Sequence, residues 1–94
     1  MTRCYQWNED KNAWLKQNRH ISFEEIVLAI QSGQEINVFE HPNQIRYPGQ
    51  KISVVIVNNY GYLVPFVESE AAIFLKTIIP SRKATKQYLR SSDE

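Results

Sequence analysis

Apolar and polar positions follow two periods along this chain, and the switches between them divide it into helices and strands. Tyr5-Gln6-Trp7 reads as a short strand. Asn8, followed by Glu9 and Asp10, has the form of a helix cap with acids at the positive end of the dipole, so a first helix is predicted to about Asn18. At 100° per residue Trp14 and Leu15 share a face that also receives Lys11 and Asn18. Lys11 then either spans the apolar layer to bond a carbonyl or lines a cleft, and Asn18 ties down a turn. Ser22-Phe23-Glu24-Glu25 is a capping box, with Ile21 and Ile26 in the positions of a hydrophobic staple. The second helix carries an apolar stripe of Phe23, Ile26, Val27 and Ile30 and ends near Gly33.

The period then becomes two. Ile36 to His41 alternates as a strand, and residues 41–50, with two prolines and one glycine, form a long loop. Lys51 to Asn59 is the most apolar strand and should lie inside the sheet. Asn58-Asn59-Tyr60-Gly61 supplies a hairpin turn, and Tyr62 to Val67 returns with Pro65 pointing to an edge or a bulge. Ile73 to Ile79 alternates as the last strand, which Pro80 stops. Ser81 then caps a helix bearing Arg82, Lys83 and Lys86. The expected fold is α+β: an antiparallel sheet of about four to five strands in a meander, two N-terminal helices packed on one side, and a short basic C-terminal helix. A frayed tail is expected from about residue 91.

Ninety-four residues make one domain, 1–94, and an apolar fraction of 43% excludes a disordered chain. The single cysteine, Cys4, rules out an internal disulfide and points to a reducing compartment. Without a signal-like N-terminus or an apolar run long enough for a membrane span, a cytoplasmic protein is expected. The net charge of +1 conceals a segregation: Lys76, Arg82, Lys83, Lys86 and Arg90 fall in a stretch free of acids. Such a stretch is either a phosphate-binding patch or a solvated helix face.

Signatures of nucleotide, zinc and magnesium chemistry are missing from the sequence, so no metal and no cofactor are expected. Cations and proton-transfer groups remain, and metal-free RNA cleavage needs little more. The 2′-hydroxyl attacks, a base deprotonates it, a cation stabilises the phosphorane and an acid protonates the leaving oxygen. Arg82 and Arg46 are candidates for the phosphate charge, with His20, Glu24 or Lys11 for proton transfer. Lys83 and Lys86 would add phosphate contacts. Tyr47 either stacks on RNA or covers the core, and Tyr88 either stacks on a base or packs the last helix onto the sheet. His20, in the joint between the helices, is either a structural hydrogen-bonding residue or a catalyst.

Trp7-Asn8-x-x-Lys11, followed by Lys16 to His20 and Ile21-Ser22-Phe23-Glu24-Glu25, resembles the opening of BrnT-type toxins, Trp-Asp-x-x-Lys and then Lys-His-Gly-Val-Ser-Phe-Glu-Glu. Thr77 to Ala84 is similar to their Arg-Ile-Ile-Ser-Ala-Arg-x-Ala segment, and Arg46-Tyr47 falls where they carry Arg plus an aromatic. The resemblance implies a RelE-like ribonuclease fold and the toxin of a type II toxin–antitoxin module that acts on mRNA, on or off the ribosome. It also implies a cognate DNA-binding antitoxin as partner. Asn8 stands where the family has Asp, Arg19 where it has Lys, Ile21 where it has Gly, and Thr77 where it has Arg. A non-catalytic module binding nucleic acid or protein, or an inactive relative, are the alternatives.

Overall fold

Local signals decide where the elements begin. In the computed structural model, which describes residues 4–89, strand β1 (Cys4–Gln6) leads into helix α1 (Glu9–Asn18). The Asn8 side chain accepts from the Lys11 N–H at 2.9 Å and caps this helix. Helix α2 (Phe23–Gln31) starts on a complete capping box, Ser22 accepting from the Glu25 N–H and the Glu25 carboxylate from the Ser22 N–H. Strands β2 (Glu35–Glu40), β3 (Lys51–Val57) and β4 (Tyr60–Glu68) follow, then β5 (Ala72–Leu75), β6 (Ile79–Pro80) and helix α3 (Arg82–Leu89). The two-residue turn between β3 and β4 is made by Asn58 and Asn59, both at positive φ, as a twisted hairpin requires.

The order across the sheet is β1-β5-β4-β3-β2, with β6 also on β4. The expectation of a wholly antiparallel sheet fails at one edge, because β1 lies parallel to β5. A strand's own pattern carries no information on the direction of its neighbour. Strand β3 is interior, as its composition requires.

The expected single strand from Ile73 to Ile79 is two strands. Phe66 faces Leu75 and Leu63 faces Ile79, so two residues of β4 (64 and 65) are opposed by three (76 to 78), a bulge. The reason lies in the core. Leu75 and Ile78 are both buried in the same cluster, and an odd separation cannot put two side chains on one face without an extra residue. Pro80, expected to stop the strand, is itself part of β6. Pro65 sits opposite this bulge and its carbonyl accepts from the Lys76 N–H at 2.8 Å. Its missing donor thus falls where the ladder is already interrupted, which is how an interior strand tolerates it.

One face of the sheet (Val55, Val64, Phe66, Leu75) packs with Ile78 against Leu15 of α1, Ile21, and Phe23 and Ile26 of α2. Helix α1 is turned from the expected orientation: Leu15 and Asn12 point inward, Trp14 is 42% exposed, and Asn18 is exposed with its amide on the Trp14 carbonyl. Helix α3 corrects the one-sided arrangement. Gly61 and Leu63 alternate with the core-facing Tyr62 and Val64, and α3 lies on their side, its Ala84 against Gly61 and its Tyr88 near Val54 and Phe39. Helices therefore cover both faces. The expected turn glycine, Gly61, is instead the place where α3 approaches the sheet.

Candidate nucleic-acid interface

The side chains singled out by sequence fall in three places. Lys11, His20 and Glu24 belong to the α1–α2 pair. His20 takes φ 56° in the joint and is exposed, which fits the bend it has to make. Its neighbour Arg19 donates to the carbonyl of Ile78 and so ties the joint to the bulge. Glu24 accepts from the Asn12 amide at 2.8 Å, with Lys16 4.0 Å away. That hydrogen bond, with help from backbone donors and Lys16, holds the Glu24 carboxyl below its ordinary range. Glu24 is thus a poor proton acceptor near neutrality and a partner of a buried amide.

The second place is the loop of residues 41–50. Its shape is set by its own side chains: Gln44 donates to the carbonyls of His41 and Gln50 and accepts from the Gly49 N–H, while Asn43 accepts from the Arg46 N–H. Tyr47 leans on His41 with ring centroids 4.4 Å apart, and Arg46 lies 5.6 Å from the Tyr47 ring. Tyr47 therefore covers the loop, not the core.

The third is α3. Arg82, Lys83 and Lys86 are exposed, and Tyr88 accepts from the Asn37 amide at 3.0 Å, which fastens the helix over β2. The loop and the start of the helix are far apart, although the end of the helix reaches Phe39 of β2. The loop flanks Lys51, while α3 is docked through Ser81 on Gly61, which pairs with Ile56. Five residues of strand separate those anchor points, about 17 Å. The geometry does not bring Arg46 and Arg82 to one phosphate. Nor is the basic run a single patch, because Lys76 faces α1 while Arg82, Lys83 and Lys86 ride on α3 over the opposite face.

What α1 and the bulge do create is an open cleft of about 700 Å³, lined by Asn8, Asp10, Lys11, Trp14, Phe74, Lys76 and Thr77. Lys11 lines a cleft, the second of the two roles open to it in sequence. Its ammonium lies 4.5 Å from the Trp14 ring centroid, the Arg19 guanidinium 5.0 Å, and Lys76 lies 5.5 Å from the Phe74 ring. The hydroxyl of Thr77 is buried and bonds to no described atom. A cation over an exposed ring is worth about 0.5–1 kcal/mol, whereas a stacked nucleobase is worth about 1–3 kcal/mol. A base would therefore displace Lys11 from Trp14.

A second, more enclosed cavity of about 200 Å³ lies beyond the end of α2, over Tyr5, Ile30, Val38 and Phe66. Its polar rim is satisfied internally, Ser53 bonding Glu35 at 2.6 Å and Lys51 pairing with Glu68 at 2.7 Å. Tyr62, half-buried on the core, has its phenol pushed up by burial, and lies away from the cleft. Among the described residues no cluster of His, Cys, Asp and Glu could hold a metal, and no helix is long and apolar enough to cross a membrane.

Sequence reasoning missed Trp14 as a cleft residue and did not single out Asn12. Asn12 lies three positions from Leu15 and so shares its inward face, a signal the helical period contains. No protein-family model, no curated protein and no solved structure matches the chain.

Proposed function

We propose that this chain is a RelE-like toxin of the BrnT kind, a metal-independent endoribonuclease of mRNA held in check by a cognate DNA-binding antitoxin in the cytoplasm. One observation carries the proposal. Asn8 and Lys11 of the opening signature and Thr77 of the closing one, far apart in sequence, line the same cleft together with Trp14, Phe74 and Lys76. Cations interleaved with exposed rings are what a single strand of RNA requires, charge for the backbone and π-faces for unpaired bases.

Two of the four departures from the family pattern, Asn8 for Asp and Thr77 for Arg, stand on the walls of this one cleft. An acid and a cation have been exchanged together for neutral polar groups. Lys11 and Lys76 are then the cations available to a phosphate bound there. Of the five proton-transfer and charge candidates, only Lys11 lines the cleft, while His20, Glu24, Arg46 and Arg82 do not.

That separation favours a second reading, a non-catalytic RNA-binding relative, which would show salt-sensitive binding without strand scission. The test is induced expression in bacteria of the wild type beside Lys11→Ala and Arg82→Ala, following growth and mRNA integrity together. Arrest with cleaved mRNA, relieved in Lys11→Ala, is the expected result. Normal growth with intact mRNA, despite soluble folded protein, would overturn the toxin and leave the binding module.

A further inference from the structure

We infer that the cleft between the start of α1 and the β5–β6 bulge seats one unpaired nucleotide of single-stranded RNA, its base against Trp14 and its phosphate between Lys11 and Lys76. The choice of RNA rests on the function proposed above, whereas the nucleotide chemistry rests on the cleft. At about 700 Å³ the space is in the range of small-ligand sites. Among the described residues both of its lysines are engaged with rings and with no acid, Lys11 with Trp14 and Lys76 with Phe74, so a phosphate meets cations not already neutralised by a described acid. Asp10, on the same rim, keeps that phosphate toward Lys76.

The buried Thr77 hydroxyl is the second, independent observation. A hydroxyl withdrawn from water with no described partner is uncommon in a folded protein, and here it lies on the wall of a cleft that is both cationic and aromatic. The hydroxyl is closed off from the cleft as it stands, so a sugar or phosphate oxygen of the seated nucleotide becomes its partner on a small shift of the wall. Among the described residues the other cavities lack such an unpartnered hydroxyl, the groove of Phe39, Lys83 and Tyr88 beside α3 included. The smaller cavity has its charges paired internally, and at the β2 edge the Val38 N–H is already taken by the Asn37 side chain.

The experiment uses the full chain and short fluorescently labelled single-stranded RNA and DNA of the same mixed sequence, with affinity read by anisotropy at several salt concentrations. Trp14→Ala should weaken RNA binding by about tenfold or more, the loss that one stacked base carries, and Trp14→Phe should restore most of it. Replacing Lys11 and Lys76 together by Ala should lower the magnitude of the log–log salt slope by about 0.7, one phosphate contact on a single strand, and each single variant by part of that. Trp14 is partly exposed, so circular dichroism of the alanine variant should match the wild type.

RNA binding that is unchanged in Trp14→Ala and Lys76→Ala but lost in Arg82→Ala would overturn the cleft while sparing the RNA function, because the strand would then run over α3. Equal binding of DNA, still lost with Trp14, would keep the cleft as a nucleotide site and count against RNA as its ligand. No binding of either strand by folded wild type would overturn the cleft.

Discussion

The side chain of Asn12 in α1 accepts the N–H of Phe23, the first residue of α2, at 2.8 Å, with both groups buried. The Asn12 amide also donates to the Glu24 carboxylate, so one side chain both caps the second helix and holds a side chain of its first turn. Helix starts leave N–H groups without partners, and Ser22 serves only that of Glu25. Removing Asn12 therefore strands a buried donor. Asn12→Ala should lower unfolding free energy by about 1–3 kcal/mol, measured by urea denaturation. A loss below about 0.5 kcal/mol would mean that the Phe23 N–H finds another partner.

Glu24 links that cap to pH. Its folded pKa is depressed below the ordinary value near 4.5, chiefly by the Asn12 hydrogen bond. Above the unfolded pKa the carboxylate therefore stabilises the fold, and this contribution disappears as pH falls through the lower folded pKa. The side chain is half exposed, so the contribution is screened. A Glu24→Gln variant should melt slightly below the wild type at pH 7, and the gap should close on acidification below about pH 4. In an Asn12→Ala background, NMR titration should find the Glu24 pKa moved back up.

Gly61 gives the α3 side of the sheet its closest approach. A Cβ there would stand 2.9 Å from the Thr85 nitrogen and 3.1 Å from Ala84, atoms that cannot swing away. Thr85 and Ser81 both bond the Gly61 backbone, so the helix has no room to retreat without breaking these bonds. In an ordinary strand alanine would be preferred to glycine by about 0.5–1 kcal/mol. Here the clash dominates, and Gly61→Ala should destabilise by about 1–3 kcal/mol and expose α3 to limited proteolysis. A neutral or stabilising result would mean that α3 is not held against β4 in solution.

The helix caps, the staple, the interior position of β3 and the strand character of β2 and β4 are all legible in the sequence, because each depends on near neighbours. Features set by distant partners are not. The bulge after Leu75 arises because Ile78 has to reach the same core, the parallel pairing of β1 depends on where β5 lies, and the placement of α3 depends on a glycine that resembles a turn residue. For the candidate site the same division applies. Lys11 and Lys76 are conspicuous as charges, but that they meet across a cleft beside Trp14 follows from the bulge and the rotation of α1.

Arg46 and Arg82 provide the sharpest test of whether there is one site or several. Two arginines acting on one phosphate would be coupled, and removal of either would change what the other contributes. Their anchor points lie at Lys51 and at Gly61 opposite Ile56, about 17 Å apart along β3. The internal bonding of the 41–50 loop holds Arg46 there, since Gln44 spans it and Tyr47 rests on His41. In a double-mutant cycle on single-stranded RNA affinity, Arg46→Ala and Arg82→Ala should therefore add to within about 0.5 kcal/mol. Coupling above about 1 kcal/mol would show the loop and α3 closing on the same strand of RNA, an arrangement in which the two arginines act together and the cleft beside Trp14 is peripheral.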